Sequence, residues 1–169
     1  AAISDMEGAV ALGEENGFDL WRIARVGRPF DYARTLRSPD GRFTSHRNTE
    51  HTRKVVMRFD LVPEGGVDTV GQHPRLAWSG QCPTLRAGTG ADRGSYQSVR
   101  PIHPDQPRVI TVREAARLQG FPDSYRFHPT IWHSFRMIGN SVCPDMALAI
   151  FQAIRSKFGN WRYPAVAAE

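Results

Sequence analysis

The sequence predicts an α+β chain, with short extended pieces and loops first and two helices last. Three observations carry this. Between residues 72 and 100, runs of extended character at Arg75–Trp78, Cys82–Arg86 and Tyr96–Arg100 are broken by Gly88, Gly90 and Gly94. That is the punctuation of strand, loop and strand. Thr111-Val112-Arg113-Glu114 has the Thr-x-x-Glu spacing of a capping box, in which hydroxyl and carboxylate each satisfy one orphan N–H of a helix start. Met146, Ala149, Ile150, Ala153 and Ile154 recur at i, i+3, i+4, i+7 and i+8 behind Pro144, a good first-turn residue.

The elements follow in order. Residues 1–20 are acidic, with small residues and no helical stripe beyond Met6, Val10 and Leu12. Residues 21–60 mix arginine with Pro29, Pro39 and Gly41 and read as loops around short elements. Within them Glu50–Phe59 is expected to be helical: Val55, Val56 and Phe59 fall at helical spacing, Thr49 is placed to cap, and Pro63, Gly65 and Gly66 end the run. Val109 and Ile110 are extended. The capped helix runs from Val112 to Gln119; Gly120 supplies a left-handed stop and Pro122 prevents continuation. After a loop through His128 and Pro129 the second helix starts at Pro144. Leu148 and Phe151 lie off its apolar stripe, so this helix asks for burial on two sides.

Size and composition exclude several classes. At 169 residues there is room for one ordinary domain or a domain with a small lobe. A chain near this size buries about 68–70% of its unfolded surface, enough for a real core. There is no unbroken run of about 18 apolar residues and no leader pattern, so a soluble, cytosolic protein is expected. Two cysteines cannot build a disulfide framework, and neither they nor the six histidines show zinc spacing. No metal is expected.

The net charge of +5 is unevenly placed. Residues 1–20 carry five acidic side chains and no basic one, whereas residues 21–60 carry ten basic against four acidic. All but Lys54 and Lys157 of the 22 basic residues are arginine. Such a block suits a phosphate backbone, and arginine adds forked donors that fit phosphate oxygens and guanine edges. Genomic base composition gives the same bias without any function.

Several motifs tempt and fail. Gly88-Thr89-Gly90-Ala91-Asp92-Arg93-Gly94 lacks the GxGxxG spacing and a surrounding βαβ unit; it reads as a flexible loop, with Arg86 and Arg93 able to aim at DNA. Cys82, in Gln81-Cys82-Pro83, has no local cation, helix start or base to activate it, and reads as a small buried hydrophobe; so does Cys143. Asn140-Ser141-Val142 sets small polar groups before the helix at Pro144, a ready anion site that is also ordinary capping.

The run Arg113-Glu114-Ala115-Ala116-Arg117-Leu118-Gln119-Gly120-Phe121-Pro122-Asp123, followed by Gly139-Asn140-Ser141-Val142, resembles the last two conserved blocks of DNA cytosine-5 methyltransferases. Pro83-Thr84-Leu85 before a glycine-rich segment is similar to the Thr-Leu pair of that family's target-recognition domain. The resemblance spans about Arg75 to Ile154 and is weaker over 21–74. It implies a reaction in which cytosine is flipped from the duplex, a cysteine thiolate adds to C6, and C5 takes a methyl from S-adenosylmethionine. It implies that Asn140, Ser141 and Val142 help line the methionine end of the cofactor pocket. Arg113, Glu114 and Arg117 would brace the recognition domain. Thr84 and Leu85 would lie beside the phosphate backbone, and Arg86 and Arg93 would approach the groove.

The departures are as informative. The family's Phe-x-Gly-x-Gly cofactor loop, its Pro-Cys-Gln block with the nucleophile and its Glu-Asn-Val block are not found; Glu15-Asn16-Gly17 is no substitute for the last. Its Gln-Arg-Arg block is not clear, although Arg22–Arg28 is basic. No catalytic residue is therefore expected here. The implied architecture is an acidic segment (1–20), a recognition lobe of short antiparallel strands and loops (21–110), C-terminal motifs (111–157) and a tail (158–169). Two helices would pack on a Rossmann-like S-adenosylmethionine-dependent domain supplied from elsewhere. The implied partners are double-stranded DNA and a catalytic N-terminal half, fused or separate, at the bacterial nucleoid in a restriction-modification setting. The chain lacks an initial Met, and residue 1 is read as not a natural start. The alternative is a non-catalytic, sequence-specific DNA-binding or regulatory protein derived from such an enzyme. A remnant without function fits less well, because cap, stop and Gly-Asn-Ser-Val run agree with one another.

Overall fold

The structure is a computed structural model that describes residues 2–24, 30–87 and 99–158. Its only sheet among those residues has three antiparallel strands in the order β1-β2-β3: Val10–Glu15, Phe18–Arg22 and Arg42–Thr44. A single 3-10 turn at Ser4–Met6 precedes it. The hairpin turns at Asn16 (φ 52°) and Gly17 (φ 79°), the pair of positive φ values that a tight twisted hairpin requires. The register slips between Ala11 and Gly13, a bulge that bends β1. The residues at 2–20, for which the sequence suggested no element, thus hold a turn and nearly two strands. They are part of the packed body: Ile3 and Met6 are buried with Ile23 and Phe43.

Five helices follow among the described residues. α1 spans Asp31–Leu36 and α2 Arg53–Asp60. The expected helix at Glu50–Phe59 starts later than predicted, after Thr52 rather than Thr49. The His51 ring packs edge-on against Phe59, 5.3 Å between centroids, and Thr52 is still extended at ψ 152°. α3, Val112–Leu118, carries the predicted capping box: Thr111 Oγ1 accepts the Glu114 N–H and the Glu114 carboxylate accepts the Thr111 N–H at 2.7 Å. Gly120, at φ +87°, provides the left-handed stop.

Two predictions need correction. Between α3 and the last helix lies α4, Ile131–Asn140, so the C-terminal third has three helices. α5 is Pro144–Phe158 as expected from the proline and the stripe. Second, Cys82–Arg86 forms no strand. Pairing goes instead to Ile102, which bridges Arg75 in parallel and Val109 in antiparallel fashion. Ile102 N donates to Pro74 O at 2.8 Å and its carbonyl accepts from Leu76 at 3.0 Å, leaving no free edge for a further strand. Tyr96 to Ser98 lie outside the described residues.

Three apolar clusters hold the body. The largest joins Leu76, Ile110, Val112, Ala115, Ala116, Phe127, Phe135 and Ile138, so α3 and α4 share one core. Phe59, Val62, Ile102 and Val109 form another around α2. Taken as one stretch, Ile131–Phe158 is long and apolar enough to cross a membrane. It is two helices, however, interrupted at Ser141 (ψ 153°), and the longer has 15 residues. At 1.5 Å per residue that falls short of a hydrocarbon core of about 30 Å.

Candidate functional site

The site forms where α4 hands over to α5. Asn140 is the last residue of α4, not a cap of α5 as the sequence suggested; Ser141 to Cys143 make the whole connection. Ser141 folds inward. Its hydroxyl donates to Ile138 O at 2.7 Å, and its carbonyl accepts the Gln119 side-chain amide at 3.2 Å. The connection is thereby tied to the end of α3. Asn140 and Val142 point outward, and the Asn140 carboxamide bonds no described residue. Trp132, Arg136 and Asn140 share one exposed helix face at i, i+4 and i+8, with the Arg136 guanidinium stacked 5.4 Å over Trp132. Ser141 contributes by shaping the connection.

Thr84, Leu85 and Arg86 cross α4 at the same place. Leu85 packs against the core of Leu76 and Ile138, while Thr84 and Arg86 are exposed. Leu85 is therefore an anchor that turns its two neighbours outward. Arg93 lies outside the described residues. The crossing is so close that a Cβ on Gly139 would lie 2.6 Å from Ala87 Cα and closer still to the Arg86–Ala87 peptide. A glycine inside a helix costs about 1 kcal/mol relative to alanine, and this backbone-on-backbone approach is its reason. Sequence reading assigned no role to Gly139 or Gln119. The signal for Gly139 was a glycine interrupting a helical run, which calls for a packing cause.

α3 braces the surroundings. Arg113 is fully buried and donates to Thr44 O at 2.9 Å, to Pro122 O at 3.0 Å and to Tyr125 O at 2.7 Å. Burial pulls its pKa down to about 10. Glu114 takes a two-pronged bond from Arg108 at 2.9 and 2.8 Å. Burial raises its pKa, but the Arg108 bonds and the nearby positive charge outweigh that and hold it at about 2. Arg117 donates to Asp123, to Asp5 and to the carbonyl of Ala2. One short helix thus fastens the strand end at 44, the loop at 122–125 and the first residues of the chain.

Cys82 is not set up as a nucleophile. Burial pushes the Cys82 thiol up to about 11, away from the reactive thiolate. Cys143 Sγ would lie 3.1 Å from a Cβ on Gly120, beside Tyr32, whose hydroxyl donates to Arg117 O at 3.2 Å. Burial, then the proximity of Cys143 and Asp145, raises the Tyr32 pKa.

α5 is the least covered element. None of its residues is buried, and Met146, Leu148, Ile150, Phe151, Ile154 and Phe158 are 48–68% exposed. Its apolar residues lie on more than one side, as the sequence predicted.

Comparison with known proteins completes the picture. Residues 30–156 match the model of the C-5 cytosine-specific DNA methylase family. The chain is 43% identical over 174 aligned residues to the type II methyltransferase M.XorII of Xanthomonas oryzae pv. oryzae, covering 92% of this chain and 41% of that protein. It is 46% identical over 80 residues to the mouse DNA (cytosine-5)-methyltransferase 1, covering 47% of this chain and 5% of that one. A crystal structure of a DNA modification methyltransferase encoded within an E. coli prophage superposes with a TM-score of 0.72 at 33% identity, over 92% of this chain and 45% of the other. The chain thus spans less than half the length of these relatives. With the matched model covering most of its residues, the chain belongs to the C-5 cytosine-specific DNA methylase family.

Proposed function

We propose that this chain is the target-recognition and C-terminal part of a DNA (cytosine-5-)-methyltransferase, acting on duplex DNA together with a catalytic N-terminal half. The carrying observation is α5: a 15-residue helix with large apolar side chains and no buried residue. Six half-exposed large hydrophobics on one helix ask for a protein surface to cover them. The coverage of 41% and 45% of two relatives leaves room for a partner of about the same size. The sequence offers neither the family's nucleophile block nor its N3-binding acid, and the buried Cys82 is unsuited to the first role.

In this reading residues 111–157 return the chain to the catalytic domain, while residues 21–110 form the recognition lobe. S-adenosylmethionine would supply the methyl group. Asn140 and Val142 would contribute to holding its methionine end, with Ser141 fixing their backbone. Thr84 and Arg86 would meet the phosphates near the flipped base, and Arg93 would join them. Arg113, Glu114 and Arg117 would hold that surface rigid without touching DNA. The place of action would be the bacterial cytoplasm, at the nucleoid. The test is reconstitution. The chain alone transfers no methyl group from labelled S-adenosylmethionine to duplex DNA; mixed with the N-terminal half of a relative such as M.XorII, it restores transfer. Robust transfer by the chain alone would sink the reading. Tight, sequence-selective duplex binding with no restored transfer would favour a non-catalytic DNA-binding or regulatory role instead.

A further inference from the structure

We infer that Gly139 is a positioning residue that couples DNA binding to cofactor binding, by seating the Arg86–Ala87 peptide directly on the last turn of α4. The inference rests on the proposed roles of Thr84 and Arg86 toward DNA and of Asn140 and Val142 toward the cofactor. It adds the physical link between them.

The link has three parts. First, the approach is backbone on backbone: a Cβ at Gly139 would lie 2.6 Å from Ala87 Cα. Flexible side chains can absorb a displacement by changing rotamer, whereas two peptide segments in contact cannot. Second, the recognition segment is held on its far side by Leu85, which is packed in the core that also contains Ile138. The 84–87 segment therefore moves with α4. Third, the cofactor segment begins one residue beyond Gly139, and it too is pinned: Ser141 is bonded to Ile138 O by both its N–H and its hydroxyl and to Gln119 by its carbonyl. Thr84 and Arg86 on one side, and Asn140 and Val142 on the other, are exposed groups on a single stiff junction. A phosphate contact that draws Arg86 outward must either strain Gly139 or carry the end of α4 with it. A ligand that orders either side lowers the ordering cost for the other, and the effect is reciprocal.

The experiment uses the reconstituted pair. The affinity for S-adenosylhomocysteine is measured with and without a saturating pool of random-sequence duplex DNA. The wild-type pair binds it roughly fivefold or more tightly with DNA, within the usual range of coupling between sites. Gly139→Ala brings that ratio near one. Because this variant must push peptide backbone aside and can fail to fold, Ala87→Gly is the companion. It introduces no clash, loosens the seated peptide, and reduces the ratio while leaving the thermal midpoint nearly unchanged. A merely structural glycine would lower stability and leave the ratio alone. A mutation-free arm follows amide exchange in the isolated chain: the same duplex pool slows exchange at Ile138–Val142 but not in α1. Retention of the full ratio by Ala87→Gly and any folded Gly139→Ala overturns the inference, as does unchanged exchange at 138–142. Failure of the functional reading has a different signature, the absence of methyl transfer by the wild-type pair.

Discussion

The Arg117 guanidinium grips the Asp123 carboxylate through two hydrogen bonds, 2.8 Å from Nε and 2.7 Å from Nη2, with both side chains completely removed from water. The remaining Arg117 nitrogen reaches Asp5 and the carbonyl of Ala2. Breaking one member of a buried pair leaves a bare charge behind and costs about 3–5 kcal/mol. Arg117→Met is expected to lose that much in chemical denaturation. Arg117→Lys recovers little, since an ammonium cannot span both carboxylate oxygens. Arg117→Met combined with Asp123→Leu is expected to be milder than either single change; a double variant worse than their sum would refute the bare-charge explanation.

Stability is expected to fall in mild acid because of His46. This ring is buried, with Nδ1 2.9 Å from Thr111 Oγ1. Burial drives its pKa from 6.5 down to about 4, with Glu114 and Asp19 only partly opposing. The folded state therefore binds its proton later than the unfolded state does. Between about pH 6.5 and pH 4 the unfolded chain takes up the extra proton, and up to about 3 kcal/mol of stability is lost over that window. His46→Gln removes the step. The check is thermal unfolding at pH 7, 5.5 and 4: the wild-type curve should be steeper than the variant curve across the window. Glu114, held near 2, adds its own loss only below the ordinary glutamate range of about 4.5.

Substitutions on α5 are expected to separate the proposed assembly from folding. Because Phe151 and Ile154 are exposed at 68% and 48%, replacing both by serine is expected to change the chain's own stability by no more than about 0.5 kcal/mol per site. In the same variant, methyl transfer restored by the N-terminal half should drop severely. Equal unfolding midpoints with lost reconstitution is the expected pair of results.

The two proposed ligand surfaces should respond independently in single-ligand assays. Asn140→Ala removes the amide proposed to bond the cofactor and is expected to weaken S-adenosylhomocysteine binding by about tenfold in the reconstituted pair. Arg86→Ala should weaken DNA binding and reduce the slope of log affinity against log salt by about 1, the signature of one phosphate contact. A slope unchanged in Arg86→Ala would place this side chain away from the backbone.

Much of the C-terminal third was legible because its signals are local. Thr111 and Glu114 cap one another three residues apart, Gly120 stops the same helix, and Pro144 opens α5. α4 was missed because Thr130 makes no side-chain cap and Gly139 breaks the pattern near its end; its stability comes from Phe135 and Ile138 meeting α3. The hairpin was missed for a different reason. Every residue of β1 is exposed, so no alternation marks it. The Asn16-Gly17 turn was the available clue, and it was weighed only as a match to another motif. Of the candidate site, Asn140–Val142 and Thr84–Arg86 were proposed through resemblance. Their meeting at Gly139 was not, because contact between residues 86 and 139 leaves no trace in local spacing.

Arg117 also sets a timetable. Its partner Asp5 stands 112 positions earlier in the chain. At a synthesis rate of about 5–20 residues per second, the ribosome spends on the order of ten seconds between the two. Throughout that interval Ile3 and Met6 have Ile23 and Phe43 to pack on but not Leu118, the α3 side chain packed against the same cluster. The lobe closes late: its first residues can rest on the sheet early, but they are clamped only once α3 has emerged.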